Sequence, residues 1–136
     1  MQTRKAQRKN TTFSIALMGF GGAGKSYSAL LLARGLVGEK GKILVIETEG
    51  GRIDVYDQVT DFDVHDLTAP YTVDKFLDAI YETAKMGYGC VIVDSMSSEW
   101  SGKGGLLDLA DNQTNRSGGK LQYPANWKIP KAMHED

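Results

Sequence analysis

The sequence contains one cysteine, two histidines and three prolines in 136 residues. The single cysteine, Cys90, excludes an internal disulfide and a metal site built from several cysteines. His65 has no second histidine or cysteine near it in the sequence, so a surface histidine is predicted there rather than a metal ligand. No apolar run approaches the roughly 18 residues of a membrane span, and the N-terminus lacks the apolar core of a secretory signal. These absences predict a protein of a reducing, cytoplasmic compartment.

The charge is close to balanced, because 16 basic and 17 acidic residues give a formal net charge of −1. A hydrophobic content of 41% and a charged content of 24% are ordinary for a globular domain, so the whole chain is not a polycation made for nucleic acid. The first ten residues nevertheless carry four basic side chains and no acid. We predict a basic, flexible N-terminus over residues 1–12, with contact to nucleic-acid phosphates as the alternative, followed by one domain over residues 13–136.

The most informative stretch is GFGGAGKS at residues 19–26, which fits the P-loop pattern G-x-x-x-x-G-K-[ST] without a mismatch. An apolar segment at 13–18 precedes it and is predicted to be the first strand, and helical periodicity follows over 24–37. A strand, a glycine loop and a helix turn successive backbone N–H groups toward one point, where a triphosphate would bind. The predicted phosphate-binding residues are Gly19, Phe20, Gly21, Gly22, Ala23, Gly24, Lys25, Ser26 and Tyr27.

Strands and helices alternate through the next part of the chain, which predicts an α/β fold with a parallel sheet and helices on both faces. Beyond residue 94 the sequence becomes polar and rich in glycine. There we predict a loop over 95–105, a short helix over 106–110, a loop over 112–119 and a final helix over 124–134 that Pro130 bends or divides. The earlier predicted elements are a strand at 42–47, a short helix at 53–59, an edge strand at 62–67, a helix at 73–86 and a strand at 90–94.

Four side chains are candidates for the chemistry of a triphosphate site. Lys25 is expected to reach the β- and γ-phosphates and Ser26 to bind Mg²⁺. Asp94 ends an apolar strand as a Walker B acid does and is expected to hold the same Mg²⁺, although such an acid can also cap the following turn. Glu49 is the candidate for activating water, against the alternative of an exposed loop acid. Glu47, at the carboxyl end of the strand predicted at 42–47, and Glu99 are weaker candidates for activating water.

The segments GFGGAGKS (19–26), ILVIETEGG (43–51) and VIVDSMSSEW (91–100) together resemble the RecA-like P-loop ATPases. More closely, they are similar to the phage-encoded ATP-binding proteins of the AAA-labelled group, some of which are minimal RecA-type recombination factors. The later segments GGLLDLAD (104–111) and ANWKIPKAMH (125–134) also look like this group. The resemblance implies ATP and Mg²⁺ as cofactors, Glu49 as the catalytic glutamate, and Mg²⁺-dependent ATP hydrolysis coupled to phage DNA recombination or replication in the host cytoplasm.

The relatives continue into further core strands, one of which lies between the P-loop and Walker B strands. We therefore expect this chain to be truncated at its C-terminus, with an incomplete sheet and uncertain catalytic competence on its own. Single-stranded DNA, other phage recombination proteins and further copies of the chain are the expected partners, with no membrane. The alternatives are a nucleotide-binding assembly module with little turnover and a ParA/MinD-like ATPase. Phe20 disfavours the latter because it stands where that class has its signature lysine.

Overall fold

Three parallel strands form the sheet of this α/β protein, which we describe from a computed structural model that covers residues 3–5, 12 and 14–135, without the side chains of 134 and 135. The central strand β1 (Ile43–Glu47) lies between β2 (Asp63–Asp66) and β3 (Cys90–Asp94). Both pairings are parallel, as the alternation of strands and helices predicted. Most of the predicted basic N-terminus falls outside the described residues. Within them, no helix combines the length and apolar character that crossing a membrane requires.

The core lies on both faces of β1, whose five residues are all buried. Leu44 and Ile46 pack with Phe76 of α2 (Val73–Lys85) on one face. Val45 packs with Leu30 of α1 (Lys25–Val37) on the other face. Since successive side chains of a strand point to opposite faces, the continuous apolar run of β1 is explained by a helix on each side.

The helices predicted over 24–37 and 73–86 and the edge strand are confirmed with small changes in their limits. Thr72 caps α2 by accepting a hydrogen bond from the Lys75 N–H at 3.4 Å. The alternating segment at 62–67 contains the edge strand β2, on which His65 is exposed. Cys90 is half-buried, and burial raises the pKa of its thiol. The short helix predicted over 53–59 is a 3₁₀ helix at Arg52–Tyr56.

The prediction of a first strand over residues 13–18 is wrong for residues 14–18. They have no regular secondary structure and pair with no described strand. Ile15 and Met18 are exposed by 55% and 93%. An apolar run signals a preference for burial, but a strand also needs a neighbour whose backbone groups are free and within reach. Residue 13 lies outside the described part of the chain.

Beyond β3 the chain is more helical than predicted. The predicted loop over 95–105 contains α3 (Ser97–Ser101). The first part of the predicted loop over 112–119 belongs to α4 (Leu106–Arg116), and residues 117–119 form a turn. Burial of the α4 face outweighs the weak helix preference of its polar residues. A 3₁₀ turn at Ala125–Trp127 leads into α5 (Lys128–Glu135). Pro130 occupies the first turn of α5, where its missing N–H interrupts no helical hydrogen bond.

The Arg34 side chain joins α1 to the loops at the amino ends of β1 and β2. Its guanidinium donates to the carbonyls of Gly38 and Gly41 at 2.8 Å, to the carbonyl of Asp61 at 2.7 Å and to the Thr60 hydroxyl at 2.5 Å. These bonds connect segments that are more than 20 residues apart in the sequence, so Arg34 is a structural residue.

We expect Arg34→Ala to lower the free energy of unfolding by about 2–3 kcal/mol, because it leaves several part-buried acceptors without a charged donor. Chemical denaturation followed by circular dichroism measures the change. Lys40→Ala is the control, because Lys40 is an exposed cation in the same region and should cost less than about 0.5 kcal/mol. Equal stability of the two variants would contradict the role given to Arg34.

Candidate functional site

The glycine loop runs from Gly19 to Gly24 and leads directly into α1 at Lys25. Gly22 and Gly24 have φ angles of 77° and 80°, in the left-handed region that only glycine adopts readily. The Ala23 N–H donates to the Phe20 carbonyl at 3.2 Å and closes a turn within the loop. Gly22 and Gly24 therefore meet a conformational requirement of this loop, which leads into the N-terminus of α1.

The loop presents a set of backbone amides without protein partners. Within the described residues, no hydrogen-bond acceptor is found for the backbone N–H groups of five residues in the loop and the first turn of α1. The first N–H groups of a helix have no intrahelical acceptor, and the helix dipole places partial positive charge at the same end. An anion is the ligand that such a set of donors fits. The amides belong to Gly21, Gly22, Gly24, Lys25 and Ser26.

The Lys25 side chain folds back over the loop. Its Nζ donates to the carbonyls of Gly19 and Phe20, both at 3.0 Å. The ammonium group therefore lies beside the loop and donates to two neutral carbonyls. If a phosphate bound there, its charged oxygen would take the place of these carbonyls as the acceptor. A charge-assisted bond of that kind is roughly twice as strong as one between neutral groups.

Ser26 and Asp94, which are 68 residues apart in the sequence, meet at the base of the loop. The Ser26 hydroxyl donates to Oδ2 of Asp94 at 2.5 Å, and both side chains are half-buried. The structure thus brings together the two predicted Mg²⁺ ligands, whose role with the metal stays a prediction. A hydroxyl and a carboxylate suit Mg²⁺, which takes few protein ligands and completes its shell with phosphate and water. Among the described residues, no three or more His, Cys, Asp or Glu side chains form a group that could hold a metal.

Glu47 ends β1 and lies in register between Asp66 and Asp94. Its position, two residues after Val45, puts its side chain on the α1 face of the sheet. The residue is 2% exposed. Oε2 accepts the N–H groups of Gly50 and Gly51 at 2.9 and 3.1 Å, whereas Oε1 is buried without a partner in the described structure. Glu47 therefore shapes the loop that follows β1.

Glu49, the predicted catalytic residue, lies in that loop and is exposed. Its Oε2 is 3.1 Å from Nη1 of Arg52 in a surface ion pair. The structure does not bring Glu49 into hydrogen-bond contact with Lys25, Ser26 or Asp94. Glu99, the weaker candidate, is 3% exposed within α3.

Thr48 is a residue that the sequence analysis missed. Its N–H donates to the Asp94 carbonyl at 3.0 Å, and its hydroxyl accepts from the Ser95 N–H at 3.2 Å and the Ser98 hydroxyl at 2.9 Å. The Asp94–Ser95 peptide bond is cis. These contacts tie the carboxyl ends of β1 and β3 to the start of α3. The sequence signal for this contact is a polar residue directly after each of two apolar strands, Thr48 after β1 and Ser95 after β3.

Two cavities lie away from Lys25. One of about 400 Å³ opens at the carboxyl ends of β1 and β2, with Glu47, Asp54, Asp66 and Tyr71 among its walls. A larger one of about 510 Å³ lies at the opposite end of these strands, beside Arg34. The glycine loop lines neither of these two cavities, and residues 19–23 are exposed to solvent.

No protein-family model, curated protein or solved structure gives a significant match to this chain. The resemblance to the RecA-like ATPases therefore rests on the sequence motifs.

Glu47→Ala should lower the free energy of unfolding by about 2–3 kcal/mol, because the amides of Gly50 and Gly51 lose a shared charged acceptor. Glu47→Gln should cost less than Glu47→Ala, since one amide oxygen can accept both N–H groups as Oε2 does, whereas its NH2 group takes the buried place of Oε1, which has no partner in the described structure. Glu49→Ala is the control and should change stability by less than about 1 kcal/mol, because its ion pair with Arg52 is exposed. Denaturant titration of the three variants tests this order, and a stable Glu47→Ala would refute it.

Proposed function

We propose that this protein is a RecA-like P-loop ATPase that binds ATP and hydrolyses it with Mg²⁺, in the service of phage DNA recombination or replication. The observation that carries the proposal is the hydrogen bond between Ser26 and Asp94 at the base of the glycine loop. A P-loop serine and a Walker B acid are expected to meet in this way if they share a metal ion. The phage pathway is supported only by the resemblance of the sequence segments.

Each residue of the site has a separate task in the proposed reaction. The loop amides and Lys25 bind the phosphate oxygens, and Lys25 exchanges the carbonyls of Gly19 and Phe20 for them. Ser26 and Asp94 would hold Mg²⁺, which when bound neutralises charge that develops on the phosphates. Glu49 would orient or deprotonate the attacking water. To do so, its carboxylate has to leave Arg52, and an exposed ion pair opposes that movement only weakly.

A nucleotide-binding module with little turnover is the second candidate. The observation that favours it is the position of Glu49, which is paired with Arg52 and makes no hydrogen bond to Lys25, Ser26 or Asp94 in the described structure. In that case the loop would bind ATP as a signal for assembly, and no group would be placed to activate water. Binding and turnover therefore need separate experiments.

Lys25→Ala should weaken ATP binding on the order of 100-fold, because it removes the one side-chain cation of the loop. Equilibrium titration with a fluorescent ATP analogue and Mg²⁺ measures the effect. Lys40→Ala removes a lysine remote from the loop and should bind like the wild type. Asp94→Asn should reduce the benefit of added Mg²⁺ while leaving metal-free binding largely intact. Tight binding by Lys25→Ala would overturn the proposed phosphate site.

Turnover distinguishes the two candidate functions. If Glu49 activates water, Glu49→Gln should reduce steady-state phosphate release by about 100-fold or more while ATP binding is retained. Glu82→Gln is a matched control, since Glu82 forms the same kind of exposed i,i+3 ion pair, with Lys85 at 2.8 Å. Equal turnover in Glu49→Gln and the wild type would exclude Glu49. ATP binding without any turnover by the wild type, with or without single-stranded DNA, would establish the binding module.

A further inference from the structure

The cavity of about 400 Å³ at the carboxyl ends of β1 and β2 has acidic walls. Glu47, Asp54 and Asp66 line it, and none of the described residues that line it is a lysine, an arginine or a histidine. Lys75 donates to the carbonyl of Thr68 in the wall but does not line the cavity itself. The larger cavity, which also reaches Asp54, differs because three basic side chains are among its walls. The acids of the smaller cavity are therefore not balanced by a cation of its own walls.

The three acids lie on the same side of the sheet. Glu47 and Asp66 are partners in the parallel register of β1 and β2. Val45 and Val64, two residues before them, pack in one cluster on the α1 face, and side chains two residues apart on a strand share a face. Asp54 follows a residue of the 3₁₀ helix that packs in the same cluster. Like charges placed side by side repel each other, and a cation between them would relieve that repulsion.

Glu47 supplies a second observation that is independent of the charge count. The residue is 2% exposed, and its Oε2 accepts two backbone N–H groups, whereas Oε1 is buried without a partner in the described structure. A buried carboxylate oxygen that accepts no hydrogen bond is costly. A ligand with N–H donors that enters the cavity beside Glu47 would satisfy this oxygen.

The walls suit an organic cation better than a bare metal ion. A divalent metal needs several carboxylates that converge on one point, and no three or more His, Cys, Asp or Glu side chains of the described residues form such a group. The volume is enough for a ligand of several non-hydrogen atoms. Leu67 and Tyr71 are also in the walls, where a short carbon chain can pack against them. Ammonium and guanidinium groups carry three and five N–H donors, so they can pair with acids spaced around a cavity.

We propose that this cavity binds a small organic cation, whose ammonium or guanidinium groups pair with Glu47, Asp54 and Asp66. Both aspartates are exposed, so the cavity is reached from solvent. The proposal does not depend on ATP binding, since none of residues 19–26 lines the cavity. The loop that carries Glu49 forms part of the wall, and a bound cation would lie beside the carboxylate that holds this loop.

Isothermal titration calorimetry with agmatine, which has a guanidinium at one end and an ammonium at the other, tests the binding at low ionic strength. The double variant Asp54→Asn/Asp66→Asn should bind on the order of 10-fold more weakly or worse, because it removes two of the paired charges. Asp57→Asn/Asp61→Asn is the matched control, since it removes the same charge from the walls of the larger cavity and should bind like the wild type. Equal affinity of the two double variants, or no binding by the wild type, would overturn the proposal.

Glu47→Gln should also weaken agmatine binding on the order of 10-fold, because its NH2 group donates where Oε1 accepts. Circular dichroism checks that the variant is folded. If it is not, the two aspartates decide the question, because they are exposed and neither forms an ion pair within the described part of the chain. A folded Glu47→Gln that binds agmatine as the wild type does would exclude Glu47 as a ligand-binding residue and overturn the proposed pairing.

Three further titrations separate the proposal from its alternatives. Putrescine should bind, whereas a diol of the same length should not, and equal binding of the two would refute recognition by charge. Mg²⁺ or Ca²⁺ that displaces agmatine and loses its own binding in Asp54→Asn/Asp66→Asn would show a metal site instead. Lys25→Ala should bind agmatine like the wild type, so a failure of ATP binding and a failure of this cavity are distinguishable.

Discussion

The complete burial of β1 is the constraint on which the rest of the structure depends. Because both of its faces are covered, its register with β2 and β3 cannot shift by one residue without turning apolar side chains away from their helices. That fixed register sets Glu47 beside Asp94 and Asp66 at one end of the sheet. The Glu47 side chain lies on the face of the sheet that α1 covers, so the acids at the strand ends and the start of α1 share one side of the molecule.

The two glutamates at the carboxyl end of β1, Glu47 in the strand and Glu49 in the following loop, have different surroundings. Glu47 is held by two backbone amides in a buried position, and these bonds fix the loop in which Glu49 lies. Glu49 is exposed, and its carboxylate pairs with Arg52. A group that must approach a substrate benefits from being mobile, provided that the backbone which carries it is fixed. The arrangement is therefore compatible with a catalytic role for Glu49, and it explains why a second acid precedes it in the sequence.

Much of the fold could be predicted from periodicity, since β1, β3, α1 and α2 each show a clear apolar pattern with glycine or a cap at their ends. The glycine loop and the pairing of Ser26 with Asp94 could be anticipated because the motif specifies both partners by type and by position at a strand or helix end. The length of α4 could not be predicted, because its polar residues form a helix only through burial of one face. The partners of Glu47 and Thr48 depend on loop geometry that no local pattern encodes.

The absence of a strand at residues 14–18 changes how the glycine loop is held. In the described structure the loop is anchored on one side only, by α1 and its Ser26–Asp94 bond, and Lys25 bridges the carbonyls of Gly19 and Phe20. Those carbonyls are also what Lys25 must release in order to bind an anion. If the site binds phosphate as proposed, ligand binding removes one restraint on the loop and has to replace it with bonds from the backbone amides to the anion. The affinity for phosphate would then be a balance between two sets of hydrogen bonds made by one ammonium group, the present bonds to the carbonyls of Gly19 and Phe20 and the new bonds to the anion.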